Sequence, residues 1–278
     1  MIGAIASFTT MAVAGRAASL DLDTFEIMFY RSLTGIAIVW FFATYLGKWS
    51  QITQQQLGLH TVRNLFHFTG QNLWFYAITV LPLAQVFAFE FTTPIWVIIL
   101  SPLFLNEQLN RVKALTIVIG FIGILMVARP DPDAFSWGLI AAAGCAICFA
   151  MTAITTKQLT RTQSITAILF YLTVMQAVFG LVCAGYDGDI AIPGAAVVPW
   201  VILIGIAGLL AHFCLTTALT LAPASIVTPI DFARLPVIVV VGYVLYNEAI
   251  DVWVIIGAVL IFAANYANIR WGQRIGLQ

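Results

Sequence analysis

The sequence predicts an all-α integral membrane protein with ten transmembrane helices, arranged as two inverted repeats of five helices. The first supporting observation is composition: 62% of the residues are hydrophobic and 9% are charged, with a mean hydropathy of +1.00. A soluble domain carries about a quarter charged residues, so this chain is expected to lie in a lipid bilayer. The other two observations are a series of apolar segments and an internal duplication.

Ten apolar segments follow one another along the chain, each bounded by charged residues, proline or glycine. Several exceed about 18 residues, which is enough for a helix to cross a bilayer. The first segment is short, so we expect either that its helix extends through Arg16 to Ala18 or that the sequence lacks the first residues of this helix. The segments lie near residues 1–18, 24–46, 60–80, 83–105, 112–128, 136–156, 164–184, 197–219, 224–246 and 251–269.

The two halves of the chain share a sequence pattern, which indicates a duplication of one membrane unit. Asn106-Glu107 recurs 141 positions later as Asn247-Glu248, and the apolar segments before the two pairs resemble each other. We therefore divide the chain into residues 1–134, with helices one to five, and residues 135–278, with helices six to ten.

The distribution of basic residues predicts how the chain crosses the membrane, because cytoplasmic loops carry an excess of lysine and arginine. With the N-terminus inside, eight basic residues fall on the inner side and only Arg16 and Arg129 on the outer side. The inner set is Lys48, Arg63, Arg111, Lys113, Lys157, Arg161, Arg270 and Arg274. Both termini are therefore predicted to be cytoplasmic. Since five helices is an odd number, the two repeats face opposite ways, as in carriers that work by alternating access.

Apart from charged residues near helix ends, four charged residues fall inside predicted helices: Arg31, Glu90, Asp231 and Arg234. A charge in the bilayer core is costly, so each is expected to have a partner or a function. Asp231 and Arg234 are spaced i, i+3 and can pair along one helix, and Glu90 can pair with Arg31 across helices. Two interpretations remain open. The pairs hold the bundle in register, or one carboxylate exchanges a proton or binds a substrate ammonium group while Arg234 binds a carboxylate.

Two prolines predict breaks in the fourth and ninth helices. Pro94 and Pro236 lie close to the midpoints of these helices, near Glu90 and Asp231. A proline inside a helix lacks the backbone N–H and displaces the carbonyl four residues earlier. Matching breaks in two inverted halves favour a substrate site at the membrane midplane with the prolines as hinges, although a membrane helix also tolerates proline for packing alone.

A polar and aromatic face on helix three predicts a cavity, because polar side chains at helical spacing are poorly accommodated by lipid. Helices four, eight and nine contribute further candidates. A single histidine is also compatible with packing, but a stripe of this length favours cavity lining. The candidate substrate-binding residues are His67, Gln71, Trp74, Phe75, Phe89, Glu90, Thr92, Trp96, His212, Thr228, Asp231 and Arg234.

The sequence gives no sign of an enzyme or a metal site. Neither H-E-x-x-H nor G-x-S-x-G occurs, so an intramembrane enzyme is not expected. Cys145 and Cys148 form a C-x-x-C inside an apolar helix without a second ligand pair, which favours packing. We expect no cofactor and no metal. The formal net charge of zero, without runs of like charge, gives no indication of nucleic acid as a partner.

Several short motifs occur in a fixed order in the first half: Leu81-Pro82-Leu83-Ala84, Thr93-Pro94, Asn106-Glu107 and Gly120-Phe121-Ile122-Gly123. This order resembles the repeat of the drug/metabolite transporter (DMT) superfamily, EamA type, and the second half matches it more loosely. Arg31 is similar to the basic residue usual in the second helix of that family. The resemblance implies a ten-helix bundle whose cavity is walled by helices one, three, four, six, eight and nine. It also implies export of amino acids or related metabolites from a bacterial cytoplasm.

We therefore expect a secondary transporter in the bacterial inner membrane that exports small metabolites, foremost amino acids, by alternating access. Aromatic faces suit apolar side chains, whereas Glu90, Asp231 and Arg234 suit zwitterionic groups. Proton coupling through Glu90 or Asp231, uniport and exchange all remain open. The alternative is an exchanger of a larger metabolite, such as S-adenosylmethionine or a nucleotide sugar.

Overall fold

Helices make up most of the chain in a computed structural model that describes residues 1–105, 111–128, 136–186, 188–222, 224, 227 and 230–275. The α-helices are α1 (Ile2–Ala18), α2 (Thr24–Tyr45), α3 (Leu57–Val80), α4 (Leu83–Glu90), α5 (Thr93–Phe104), α6 (Arg111–Ala128), α7 (Trp137–Leu159), α8 (Ile165–Ala184), α9 (Val198–Leu221), α10 (Leu235–Tyr246) and α11 (Val252–Ile275). Two 3-10 turns, Trp49–Gln51 and Asp231–Arg234, accompany them. No β-strand occurs within these residues, and the all-α prediction is confirmed.

Polar caps at equivalent positions begin α2 and α8. Asp23 Oδ1 accepts a hydrogen bond from Glu26 N–H at 2.8 Å, and Glu26 Oε2 accepts one from Asp23 N–H at 2.9 Å. In the second half, Ser164 Oγ accepts from Ala167 N–H at 3.0 Å. Asp23 and Ser164 are 141 positions apart, the offset of the duplication. Each cap satisfies a backbone donor that the first turn leaves unpaired, which stabilises a helix by about 1 kcal/mol.

The predicted breaks in the fourth and ninth helices are present. α4 and α5 form one span that is interrupted at Phe91 and Thr92, and the Asp231–Arg234 turn precedes α10 in the ninth span. Pro94 and Pro236 each occupy the second position of the helix that follows the break. A first-turn N–H has no partner within the helix, so proline is tolerated there. The prolines thus begin the second part of each span rather than kinking a continuous helix.

Helices of the first half pack against helices of the second half. α1 lies against α9 and α3 lies against α7, which are equivalent pairs under the duplication. α2 packs on α8 and α6 packs on α11, so that each of these pairs joins two equivalent helices. This pattern of contacts is the one expected when a two-fold rotation relates the halves.

The crossing of α6 and α11 shows that the two repeats are inverted. A Cβ atom on Gly123 would lie 2.7 Å from the carbonyl oxygen of Gly257, so both helices need glycine here. Earlier in α6, Thr116 Oγ1 donates to the carbonyl oxygen of Ala264 at 3.2 Å, later in α11. The equivalent helices α6 and α11 therefore run in opposite directions, and the prediction of inverted repeats is confirmed.

The surface of the bundle is apolar, as a bilayer requires. Five described helical spans are long and apolar enough to cross a membrane, and three shorter apolar helices accompany them. Large side chains such as Trp40, Leu103 and Val240 are 63%, 75% and 60% exposed. Surfaces of this kind are rare in soluble monomers and normal against lipid. The five long spans are Thr24–Tyr45, Leu83–Phe104, Trp137–Leu159, Ile165–Ala184 and Val198–Leu221.

Candidate substrate cavity

A cavity lies inside the bundle between helices of both repeats. It encloses about 840 Å³ of space between atoms, including the open solvent at its mouth. Its walls come from α1, α3, the break between α4 and α5, α7, α9 and the turn before α10. These are helices one, three, four, six, eight and nine, the same set that the family resemblance implied.

Two carboxylates share one guanidinium group in this cavity. Arg234 is fully buried, and its Nη2 donates to Glu90 Oε1 at 2.5 Å and to Asp231. Trp74 Nε1 donates to the second oxygen of Glu90 at 2.7 Å. The predicted pairing of Asp231 with Arg234 is therefore present. We call Trp74, Glu90, Asp231 and Arg234 the carboxylate cluster. It contains two acids and one base.

Aromatic rings surround the guanidinium of the carboxylate cluster. Arg234 Cζ lies 4.9 Å from the ring centroid of Phe8, 4.7 Å from that of Phe87 and 5.6 Å from that of Phe91. A cation over the face of an aromatic ring gains electrostatic stabilisation, which offsets part of the hydration lost on burial. The rings and the two acids together hold Arg234 in one place.

Three basic side chains line another part of the same cavity: Arg63, His67 and His212. The two imidazole rings meet edge to face, with centroids 4.5 Å apart and planes at 89°. Arg63 is 1% exposed, and it donates from Nε to Thr156 Oγ1 at 3.2 Å and from Nη1 to Asn64 Oδ1 at 2.9 Å. We call Arg63, His67 and His212 the basic pocket.

Arg31 does not pair with Glu90, the arrangement that the sequence suggested. Its Nη1 donates to Gln71 Oε1 at 2.6 Å, and Gln71 lines the cavity. Arg31 itself lines a smaller neighbouring cavity that also contacts His212. Glu90 is bound by Arg234 instead, because the break after α4 places Glu90 beside the turn that precedes α10.

Most of the predicted substrate-binding residues line the cavity. They are His67, Gln71, Trp74, Glu90, His212, Asp231 and Arg234, and the predicted hinge Pro94 lies beside them. The stripe on α3 therefore faces inward together with the buried charges. Whether these side chains contact substrate remains a prediction.

Four predicted residues lie outside the cavity wall. Phe75 packs tightly against α1, where a Cβ atom on Gly15 would come within 2.5 Å of the ring. Phe89 is buried at the end of α4, and its carbonyl accepts from Thr92 Oγ1 at 2.7 Å. Trp96 packs edge to face on the ring of Phe121, with centroids 5.5 Å apart. These four side chains support the break and the helix packing around the cavity.

Several sequence predictions concern residues that cannot be placed. Thr228, Asn106-Glu107 and Arg129 lie outside the described residues. Pro236, the second residue of α10, is placed and does not line the cavity.

Arg63 is the main cavity residue that was not among the predicted binding residues. It was counted with the basic residues on the cytoplasmic side, but its side chain lines the cavity one helical turn before His67 on α3. The sequence did indicate that Arg63 belongs to the polar face of helix three, because Arg63, His67, Gln71 and Trp74 recur at helical spacing. Thr152 and Thr156 of α7 also line the cavity, and their type gave no signal because threonine is ordinary at contacts between membrane helices.

An ion pair joins the two repeats at the C-terminal end of α3. Arg16 Nη1 lies 2.5 Å from Glu248 Oε1, and Leu83 N–H donates to Glu248 Oε2 at 2.9 Å. Arg16 also donates from Nε to the carbonyl of Ile78 and from Nη2 to that of Leu81, both at 2.7 Å. We call this arrangement the Arg16–Glu248 clasp. It fastens α1, α3 and α4 of the first repeat to the segment after α10 of the second.

Inverted helical repeats around a cavity with buried charges define a membrane carrier. The chain belongs to the EamA-like transporter family, whose model matches residues 1–129 and 136–269. It is therefore a transporter of small metabolites and not an enzyme.

Curated relatives transport two different metabolites. The chain is 28% identical to the S-adenosylmethionine uptake transporter of Rickettsia conorii, over 86% of this chain and 81% of the relative. It is 32% identical to the riboflavin transporter of Brucella anthropi, over 77% of this chain and 76% of the relative. A solved crystal structure superposes with a TM-score of 0.74 over 99% of this chain and 96% of that one; at 16% identity it supports the fold alone.

Proposed function

We propose that this protein is a secondary transporter that moves a small metabolite across the bacterial inner membrane by alternating access, with both termini cytoplasmic. The observation that carries the proposal is one cavity, between inverted repeats, that holds both the carboxylate cluster and the basic pocket. Charged groups at this depth in a membrane protein are costly and are usually part of a substrate or ion pathway. Rocking of one repeat against the other opens such a cavity to each side in turn.

The spacing of the two charged groupings supports an elongated substrate. The groupings extend along α3, where Arg63 and Trp74 are eleven residues apart, roughly 16 Å along the helix axis. They approach each other at Phe8, whose ring lies 5.8 Å from the ring of His212 and 4.9 Å from Arg234 Cζ. An α-amino acid carries its ammonium and carboxylate groups on one carbon, so these two groups cannot span the length from Trp74 to Arg63. A metabolite with a polar group at each end reaches both.

Aromatic side chains along the cavity wall support a ring system in the substrate. Phe8, Trp74, Phe91 and Phe149 all line the cavity, and aromatic faces bind flat heterocycles by stacking. The relatives are named for S-adenosylmethionine and riboflavin, which are elongated molecules with heterocyclic rings. We therefore place a nucleoside-like or flavin-like metabolite first among the substrates of this protein.

Amino-acid export is the second candidate, and one feature of the carboxylate cluster favours it. Asp231 Oδ1 and Arg234 Nη1 are buried and have no hydrogen-bond partner among the described residues. An unpaired acceptor beside an unpaired donor suits a zwitterion. A compact amino acid bound there would use this end of the cavity alone.

Counterflow separates the candidates. The purified protein, reconstituted in liposomes preloaded with unlabelled compound, is assayed with labelled S-adenosylmethionine, riboflavin and phenylalanine. We expect trans-stimulated uptake of a heterocyclic compound, whereas stimulation by phenylalanine alone would support amino-acid transport. The absence of trans-stimulated uptake of any metabolite in a broad panel would overturn the proposal. An imposed pH gradient in the same liposomes tests proton coupling.

Sidedness is tested by labelling single cysteines in intact cells, with the four native cysteines replaced. Gln55 and Tyr186 lie in exposed loops at opposite ends of the bundle. We expect an impermeant maleimide to label Tyr186→Cys from outside and Gln55→Cys only after the membrane is opened. Labelling of both from the same side would contradict the proposed topology.

A further inference from the structure

The basic pocket lacks a negative partner in the described part of the chain. Arg63 and Arg31 are 1% and 6% exposed, and among the described residues their side chains bond to neutral groups, namely Thr156, Asn64, Gln71 and the sulfur of Met11. No carboxylate of the described residues lies within ion-pair distance of either guanidinium. A buried charge without a counter-charge is costly, so the arrangement calls for an anion that the protein itself does not supply.

The imidazoles of the basic pocket are also unsatisfied. Both ring nitrogens of His67 and Nε2 of His212 are buried and have no hydrogen-bond partner among the described residues. Every imidazole carries at least one N–H donor, whatever its tautomer. Arg63 and His67 are four residues apart on one face of α3, so the guanidinium and the two rings lie side by side at the cavity wall.

The carboxylate cluster cannot serve as this missing anion. Glu90 is bound through both oxygens, by Arg234 and Trp74, and Asp231 is bound by Arg234. These contacts hold the acids beside Arg234 and Trp74, and Trp74 is eleven residues along α3 from Arg63. The cavity therefore has one part in which both carboxylates are bound by Arg234 and another in which no carboxylate of the described residues faces the positive charge.

We propose that Arg63, His67 and His212 form an anion subsite that binds an oxyanion group of the transported metabolite, a carboxylate or a phosphate. Arg31 adds positive charge beside the subsite, where it donates a hydrogen bond to Gln71 at the cavity wall. A guanidinium group matches the two oxygens of a carboxylate or phosphate, and the imidazole N–H groups add donors. This inference rests on the proposed transport function and specifies the chemistry that the substrate must carry.

Matched pairs of compounds test the subsite. Adenosine 5′-carboxylate bears a carboxylate where adenosine has a hydroxymethyl group, and flavin mononucleotide bears a phosphate that riboflavin lacks. Binding of each compound to the purified full chain in detergent is measured by thermal stabilisation over a concentration series. We expect the anionic member of at least one pair to bind about tenfold more tightly or better, since a hydrogen bond to a charged group contributes on that scale. The pair that shows the preference distinguishes carboxylate from phosphate.

Three variants locate the preference. Arg63→Gln is expected to abolish it, whereas Arg63→Lys, which keeps the charge, is expected to retain part of it. His212→Asn keeps a hydrogen-bond donor but has no titratable ring. It tests the subsite independently if the Arg63 variants do not fold. Arg161→Gln is the matched control, because Arg161 is exposed at the same end of the bundle.

Three results would overturn the inference: equal binding of both members of each pair, an anion preference that survives Arg63→Gln, or no stabilisation by either anionic compound. Failure of the transport function is a separate outcome. A protein that transports a neutral metabolite in liposomes without any anion preference remains a transporter and has no anion subsite.

Discussion

Arg16 and Lys157 are 141 positions apart and make the same contacts at equivalent places in the two repeats. Arg16 donates to the carbonyls of Ile78 and Leu81, each at 2.7 Å, where α3 ends. Lys157 Nζ donates to the carbonyls of Leu219 at 2.7 Å and Ala222 at 3.0 Å, where α9 ends. Each cation thus satisfies carbonyls that the last helical turn leaves open. Inversion of the repeats places one contact at each end of the bundle.

Glu248→Gln tests the Arg16–Glu248 clasp. The amide keeps an acceptor for Leu83 N–H but removes the negative charge that faces Arg16 at 2.5 Å. We expect destabilisation by about 1–3 kcal/mol, the contribution of a hydrogen bond between charged groups, read as a lower Tm in detergent. Asp21→Asn is the control, since Asp21 is exposed. Equal Tm values for the two variants would contradict a stabilising role for the clasp.

Trp74→Phe tests whether the carboxylate cluster contributes to substrate affinity. The change keeps an aromatic ring and removes the Nε1–H donor that holds Glu90 at 2.7 Å. We expect the KM for counterflow to rise about three- to tenfold, because one hydrogen bond contributes roughly 1 kcal/mol. Trp96→Phe is the matched control, because Trp96 packs on Phe121 outside the cavity. A rise of KM in both variants, or in neither, would show that the Trp74 contact has no specific role.

Asp231→Asn tests the second acid of the carboxylate cluster. An amide cannot exchange a proton, and it removes a negative charge from beside Arg234. We expect transport to fall about tenfold or more, since interactions with charged groups contribute ~1.5 kcal/mol or more. Loss of accumulation under a pH gradient, with counterflow retained, would assign proton coupling to Asp231. Full activity with an unchanged pH dependence would exclude Asp231 from the mechanism.

The duplication made most of the fold predictable from sequence. Once the offset of 141 positions is known, each helix of one half predicts a helix in the other, and an odd number of helices per half predicts inversion. Helix ends were less accurate. α3 begins at Leu57 rather than near residue 60, directly after Gln56 with a φ of 58°. Its first turn is largely exposed, so the apolar pattern could not reveal it.

Contacts between helices were harder to predict than contacts along one helix. Asp231 and Arg234 are three residues apart, and their pairing follows from helical geometry. Glu90 and Arg234 are separated by 144 positions, and only the packing of two broken spans brings them together. The burial of Arg63 was missed for a related reason. Counting basic residues near helix ends places Arg63 at the cytoplasmic interface. Its side chain is instead buried at the cavity wall, because it lies on the face of α3 that points into the bundle.

The crossing of α6 and α11 gives a prediction about stability that does not involve the cavity. A Cβ atom on Gly123 would lie 2.7 Å from the carbonyl oxygen of Gly257, and one on Gly257 would lie 2.6 Å from that of Gly123. A rigid backbone atom cannot rotate away, so Gly123→Ala forces the two helices apart, and overpacking of this kind costs about 1–3 kcal/mol. Gly58→Ala is the matched control: it lies in the first turn of α3 with no atom within 4 Å of the added Cβ. There alanine improves helix propensity by up to ~1 kcal/mol, so the two substitutions are expected to shift Tm in opposite directions. If Gly123→Ala is as stable as Gly58→Ala in detergent, the close crossing that joins the repeats does not exist in the folded protein.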